Sequence, residues 1–353
     1  MPLDIFRTHA LIASIETLTP PTTFLRDRYF PTGSGDIFST EDVIIEYKDG
    51  SRKLAPFVVP RENGILIERG GYNASAFKPL TIAPKRNVTA DDLAVRGFGE
   101  ALYSEMTPQQ RAAALITRDL LELDELVTRR EEQMCAEVMT TNALTMTEYA
   151  DNLEKGQEKH IQFYEGVNNA IYTPSANWDA DGANILGDLY EMAMMLRERG
   201  LAAQDVLIGS DVAAAIISNP TMQTLLDNRR FELGTIKPGE LTGGAALLGV
   251  LNAYGVQLNL ITYPETYDLG DGTMAPYIPA NKIIVTAPAA GRTLYGAITQ
   301  KEDNGEFYTY AKKRVPRVIS IPGVDVRELA LRSRPLPVVN ARNAFIAADV
   351  LAE

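Results

Sequence analysis

Residues 177–188 carry the most tempting cation-binding motif in the chain. Asn177, Asp179 and Asp181 alternate, Gly182 follows, and Asp188 stands where a calcium loop places its twelfth ligand. Oxygen donors at alternate positions with glycine at the sixth are what such a loop needs. Three departures weigh against it: the first position is Asn, the eighth is polar Asn184, and the twelfth carries the shorter Asp. An Asx-rich turn with acidic residues at the start of the next helix, where the helix dipole favours them, accounts for the same residues. An acidic, calcium-dependent α/β enzyme therefore stands only as a remote alternative.

Other chemistry fares no better. Cys135 is the single cysteine, which removes any internal disulfide and any thiolate zinc cage. His9 and His160 are the only histidines, far apart in the chain. Gly243-Gly244 is followed by Ala245-Ala246-Leu247 without a lysine, and no phosphate-cradling glycine motif occurs. Glu122, Asp124, Glu125, Glu131 and Glu132 share a predicted helix with Arg118, Arg129 and Arg130. They are expected to form a solvated or inter-subunit face rather than an acid–base pair. The densest basic run, Lys312-Lys313-Arg314 with Arg317, could face DNA, or could be strand-face charges paired with acidic neighbours. No catalytic residue, cofactor or metal is assigned.

The 353 residues carry 34 Lys+Arg against 46 Asp+Glu, a net charge of −12, and 45% are hydrophobic. Such a chain can bury a sizeable core as one elaborated domain or as two to three domains. The acidic balance excludes a protein whose main task is gripping nucleic-acid phosphates. No apolar run reaches membrane-spanning length, and the N-terminus lacks the pattern of a secretory signal, so a cytoplasm-made protein with no membrane partner is expected.

The elements follow from periodicity and punctuation. The first 40 residues have too few apolar positions in register for a core of their own, so this arm must lie on something else. Val43–Tyr47 reads as a strand before the Lys48-Asp49-Gly50 turn, Leu54–Val59 as a second, Ile65–Glu68 as a weak third, and Phe77–Ala83 as extended. Prolines 56, 60, 79 and 84 confine this stretch to sheet edges or a projecting two-stranded ribbon. Such a ribbon is marginal alone in water and needs a surface. Thr107-Pro108-Gln109-Gln110 opens a long helix with a capping box and proline at the first turn. Ile116, Leu120, Leu123, Val127, Met134 and Val138 make its narrow apolar stripe, running to about Thr141. Beyond it strands and helices alternate through the middle of the chain, a compact mixed α/β unit. From Arg292 onward the signals are almost all strand, and these strands are expected to return over the long helix.

In order and spacing these stretches resemble the major capsid protein of lambda-like tailed bacteriophages, the E-type capsid family with the Hong Kong 97 fold. The residues that carry the resemblance are Thr23-Phe24-Leu25-Arg26-Asp27-Arg28-Tyr29-Phe30, and Ile67-Glu68-Arg69-Gly70-Gly71 leading to Phe77-Lys78-Pro79 and Ala83-Pro84-Lys85. To these add the long charged helix, Trp178, Asp205-Val206-Leu207-Ile208-Gly209, and Tyr308 to Lys313 through Ser333-Arg334-Pro335-Leu336-Pro337. The resemblance covers nearly the whole chain. It implies an α+β fold with an N-terminal arm (1–41) and an extended β-hairpin loop (42–86). A peripheral domain (87–171 and 301–353) would carry the spine helix 107–141, and an α/β axial domain would span 172–300. It implies hexamers and pentamers of an icosahedral shell around packaged double-stranded DNA, formed in the host bacterial cytoplasm and ending in the virion. Contacts between copies would come from Phe24, Arg26, Arg28, Tyr29, Glu68, Arg69, Gly70, Gly71, Phe77, Lys78, Lys85 and Arg86. Met1 runs almost directly into the arm, so a separate scaffolding protein is expected, with a portal and a decoration protein as further partners. A nanocompartment shell of the encapsulin kind is the alternative on the same fold.

Overall fold

The computed structural model describes residues 8, 11–12, 23–47, 73–94, 107–149, 156–163, 172–180, 182–226, 234–302, 305–320, 323 and 326–351. The expected strands Leu54–Val59 and Ile65–Glu68 lie outside the described residues. A short helix α1 (Leu25–Tyr29) precedes β1 (Val43–Tyr47), which pairs antiparallel with β2 (Asn73–Phe77) from Val43↔Phe77 to Tyr47↔Asn73. After β3 (Lys85–Thr89) and a short helix α2 (Ala90–Ala94) comes α3 (Pro108–Thr141). Its 34 residues make a rod about 50 Å long at 1.5 Å per residue.

Thr107 caps α3 as its sequence requires. Its hydroxyl accepts from the Gln110 N–H at 3.3 Å while the Gln110 side chain accepts from the Thr107 N–H at 2.8 Å. At the other end Asn142 adopts the left-handed conformation that stops a helix (φ 52°). The chain turns there into a second ribbon, β4 (Ala143–Tyr149) paired with β5 (Gly156–Gln162).

The central unit has three helices, α4 (Ile185–Glu198), α5 (Ser210–Ser218) and α6 (Pro220–Leu226), and strands β6 (Asp205–Ile208), β7 (Gly234–Glu240), β8 (Ala246–Ala253) and β9 (Val256–Thr262). A small hairpin, β10 (Thr266–Asp268) with β11 (Met274–Pro276), precedes β12 (Lys282–Thr286). The strands β13 (Gly291–Tyr295), β14 (Ile298–Lys301), β15 (Phe307–Tyr310), β16 (Val315–Ser320), β17 (Val326–Arg332), β18 (Pro335–Val339) and β19 (Phe345–Asp349) complete the chain.

Six strands make the main sheet in the order β19-β12-β6-β9-β8-β7, with only β6 and β9 parallel. Alternation across this sheet divides the apolar residues into two cores. Leu207, Ile261, Ile284, Phe345 and Ala347 point to one side, where Met134, Cys135, Val138 and Met139 of α3 and the aromatics of α1 pack. Val206, Ile208, Leu260, Ile283, Val285, Ile346 and Ala348 point to the other, onto Leu189, Met192 and Leu196 of α4. A strand covered on both faces must be apolar on both, and β12 at Ile283–Val285 and β19 at Phe345–Ala348 have that composition. The N-terminal half of α3 lays Ile116, Leu120, Leu123 and Val127 on a third core with Leu329 and Leu331. There the order β16-β17-β3 makes a separate three-stranded sheet.

The C-terminal strands differ from expectation in one respect. β17, β18 and β19 all pack against α3, but β19 does so from within the central sheet, whose edge it forms in register from Lys282↔Asp349 to Thr286↔Phe345. The reason is its two-sided apolar composition, which an outer covering strand could not bury.

Close packing where the arm meets β13 makes one glycine necessary. A Cβ on Gly291 would overlap the Phe30 ring and stand 2.8 Å from the Val338 carbonyl oxygen. Gly291→Ala is expected to lower stability by about 1–3 kcal/mol, read as an earlier urea midpoint at unchanged slope.

Candidate functional site

α1 is a one-turn helix whose N-cap, Phe24, has no side-chain oxygen to offer its first N–H groups. The acceptor comes from far along the chain. Glu132, in the C-terminal third of α3, takes the backbone N–H of Phe24 (3.0 Å) and Leu25 (2.7 Å) on Oε1, and that of Arg26 (2.9 Å) on Oε2. The Tyr263 hydroxyl donates to Oε1 as well, at 3.0 Å. Three orphan donors of a helix N-terminus are thereby satisfied by a carboxylate, the charge their dipole favours. Burial pushes the Glu132 carboxyl above its ordinary value, against the lowering effect of these hydrogen bonds.

Its neighbour Glu131 does different work. Fully buried, it receives the Arg314 guanidinium in the two-pronged manner, at 2.6 and 2.9 Å, and Arg26 Nη1 at 2.9 Å, with the Tyr295 hydroxyl at 3.1 Å. Arg314 also donates to Asp124 (2.6 Å), Ser333 (3.0 Å) and Thr128 (3.2 Å). Burial works to raise the Glu131 carboxyl, but Arg314 and Arg26 outweigh it and hold the group below its ordinary value. Both guanidiniums are shifted upward by Glu131 in spite of their burial. Glu131, Glu132 and Asp124 are thus buried within the subunit, where a solvated or inter-subunit face was expected. Partners more than a hundred residues distant on each side make that burial possible.

The rest of the arm is fastened in the same way. Arg28 Nε donates to the buried Asp205 at 2.6 Å, and the Tyr29 hydroxyl and Asn259 amide reach the same carboxylate. Phe30 stacks on Phe345 (5.2 Å), and residues 36–40 run alongside β13, with Tyr295 N–H donating to the Asp36 carbonyl and Phe38 N–H to the Tyr295 carbonyl. Asp36 meets Arg292, and Glu41 meets Arg334 and Lys78. Residues 23–41 therefore lie on the chain's own body, and Phe24, Arg26, Arg28 and Tyr29, assigned by resemblance to contacts between copies, are used within the subunit.

The other predicted contact residues are scattered. Phe77 meets Phe163 edge-on, at the root where the two ribbons adjoin, and Lys159 donates to the Lys78 carbonyl. Lys85 pairs with Glu328, and Arg86 with Asp119 and Glu122. Glu68, Arg69, Gly70 and Gly71 lie outside the described residues. The basic run is split: Arg314 is sealed in the junction and is unavailable to DNA, Lys313 sets its ammonium 5.6 Å from the Tyr295 ring centre, Lys312 is exposed, and Arg317 lies on β16. In the calcium-loop region both Asp188 oxygens are taken, by the Trp178 indole and the Tyr172 hydroxyl at 2.8 Å each. Asn184 caps α4 through the Gly187 N–H. Among the described residues no cluster of three or more His, Cys, Asp or Glu could hold a metal ion.

A sequence profile for the family described as Phage major capsid protein E matches residues 7–350. Two relatives are 21% identical over 316 residues, 89% of this chain and 90% of theirs. They are the P21 prophage-derived major head protein of Escherichia coli O6:H1 strain CFT073 and the major capsid protein of Enterobacteria phage P21. Among solved structures, a prophage protein of E. coli CFT073 described as a capsid protein has a TM-score of 0.66 at 17% identity, covering 98% of this chain and 99% of its own. A phage-related protein of Bordetella bronchiseptica RB50 has a TM-score of 0.50 at 9% identity, over 96% and 95% of the two chains.

Removing the cation from Glu131 is costly. Arg314→Leu is expected to destabilise the subunit by about 3–5 kcal/mol, because a buried carboxylate loses its main partner. Glu131, with its folded value lowered, stabilises the subunit above the ordinary carboxylate value of 4.5 and loses that contribution as pH falls through its own value. Urea titrations should therefore find the deficit of Glu131→Gln largest near neutral pH and shrinking below about 4.5. Glu132, raised, has the opposite sign: its contribution is present below the ordinary value and fades as pH rises through the folded one.

Proposed function

The chain belongs to the phage major capsid protein E family, and from that premise we propose that its copies form the hexamers and pentamers of an icosahedral shell around packaged double-stranded DNA. The fold is of the Hong Kong 97 type, and the protein is a structural component of the phage virion, built into a shell from copies of itself. The observation that carries the reading is the family match over residues 7–350, almost the whole chain.

Two physical features support it. The ribbon β4–β5 is buried only at its root, its outer residues are exposed, and Tyr149 at its far end is 44% exposed. A two-stranded ribbon of this kind is marginal alone and leaves unpaired backbone groups along both edges, which neighbouring copies would cover. The −12 net charge also suits a container whose wall does not hold DNA tightly on average. Contacts between copies are assigned to the two ribbons, with Phe77, Lys78, Lys85 and Arg86 near their roots and Glu68, Arg69, Gly70 and Gly71 between β1 and β2 in sequence. Lys312, Lys313 and Arg317 are the residual candidates for touching DNA. A separate scaffolding protein, a portal and a decoration protein complete the set of partners, with assembly in the host bacterial cytoplasm. The role involves no catalysis.

Electron microscopy of the expressed protein, with and without the scaffolding protein of its own phage, tests this reading. Closed particles with five-fold vertices are expected, and particles from induced cells should contain double-stranded DNA. A monodisperse monomer under every condition contradicts the shell, and particles that enclose protein cargo without nucleic acid contradict the DNA container.

A further inference from the structure

A cavity of about 470 Å3 opens beside the Glu132 junction, lined in part by Glu125, Arg129, Glu132, Tyr263, Glu265 and Tyr277. Its charges do not balance. Arg129 is held by Glu125 at 3.1 Å. Glu132 has only backbone N–H groups and the Tyr263 hydroxyl as partners, and neither it nor Glu265 has a cation within ion-pair distance among the described residues. A carboxylate 1% exposed without a counter-cation is a costly arrangement, relieved by placing one nearby.

The remaining lining groups suit a cation too. Tyr263 and Tyr277 stack with ring centres 5.7 Å apart. The Oγ1 of Thr23, on the same wall, is buried and unpaired, and the Tyr277 hydroxyl has no hydrogen-bond partner among the described residues. The Glu265 carboxyl lies against Gly244, where a side chain would collide with it at 2.5 Å. Burial and Glu132 push the Tyr277 hydroxyl up to about 12, and burial with Glu132 raises Tyr263 as well.

We propose that this cavity binds a guanidinium or ammonium group on a short alkyl stem, its charge set against Glu265 and Glu132 and its stem against Tyr263 and Tyr277. Aromatic faces and carboxylates together recognise such cations better than either alone. Two sources share this chemistry: a free polyamine-like cation, or the Arg or Lys side chain of a second copy. The site itself does not depend on the shell reading; only the comparison of dispersed with assembled protein draws on it.

Calorimetric titration of the dispersed full-length chain with ethylguanidinium and with putrescine tests the proposal. Binding should weaken about fivefold or more in Glu265→Gln and in Tyr277→Phe, and stay unchanged in Asp271→Asn, an exposed acid on the β10–β11 turn. Heat that is absent, or identical in all three variants, overturns the site. If binding to dispersed chains disappears in assembled particles, the natural occupant is a neighbour's side chain; if it persists, the occupant is a free cation.

Discussion

Glu131 and Glu132, side by side on one helix, hold the subunit's two ends together. Successive residues on a helix point about 100° apart, so the pair serves two targets at once. Glu132 completes the N-terminus of a helix that could not cap itself, and Glu131 neutralises one arginine from each end of the chain, Arg26 and Arg314. Hydrogen bonds to a charged group contribute about 1.5–3 kcal/mol each, and breaking a buried pair costs more than it returns in solvation. With α1 fixed there, Arg28 reaches Asp205, Phe30 reaches Phe345, and residues 36–40 meet β13 in register. Remove the carboxylates and each of those contacts loses its anchor.

Much of the scaffold was legible in the sequence because its signals are local. Thr107 and Gln110 announce the start of α3, and its stripe from Ile116 to Val138 is buried as the spacing requires. The apolar runs at 205–208 and 283–285 and the alternation at 256–262 mark strands whose ends fall within a residue or two of expectation. What stayed hidden depends on distant partners. On a helix that also carries Arg118, Arg129 and Arg130, nothing local separates Glu131 and Glu132 from the half-buried Glu122 and Glu125. Only the fold brings Arg26 and Arg314 to them. The same holds for β19: its apolar residues declare a strand buried on both faces, but the pairing with β12 is set some sixty residues away. The arm's need for a bed was evident from its composition. That residues 23–41 find a bed on the subunit itself was not.

This division bears on how a shell could grow. A subunit that secures residues 23–41 internally can complete its core before it meets another copy, while the outer half of the β4–β5 ribbon stays exposed. Concentrating the buried charge at one internal junction also keeps costly desolvated groups out of surfaces that must associate and rearrange. The acidic cavity beside the junction fits the same pattern, a place where negative charge is left over once the arm has been capped.

Hydrogen–deuterium exchange at the amides of Phe24, Leu25 and Arg26 measures the central claim most directly. In the native chain these three amides should be protected about as strongly as the middle of α3, and in Glu132→Ala their protection should collapse while that of α3 persists. Exchange of all three at free-peptide rates in the native protein, or protection indifferent to the loss of Glu132, would contradict the account.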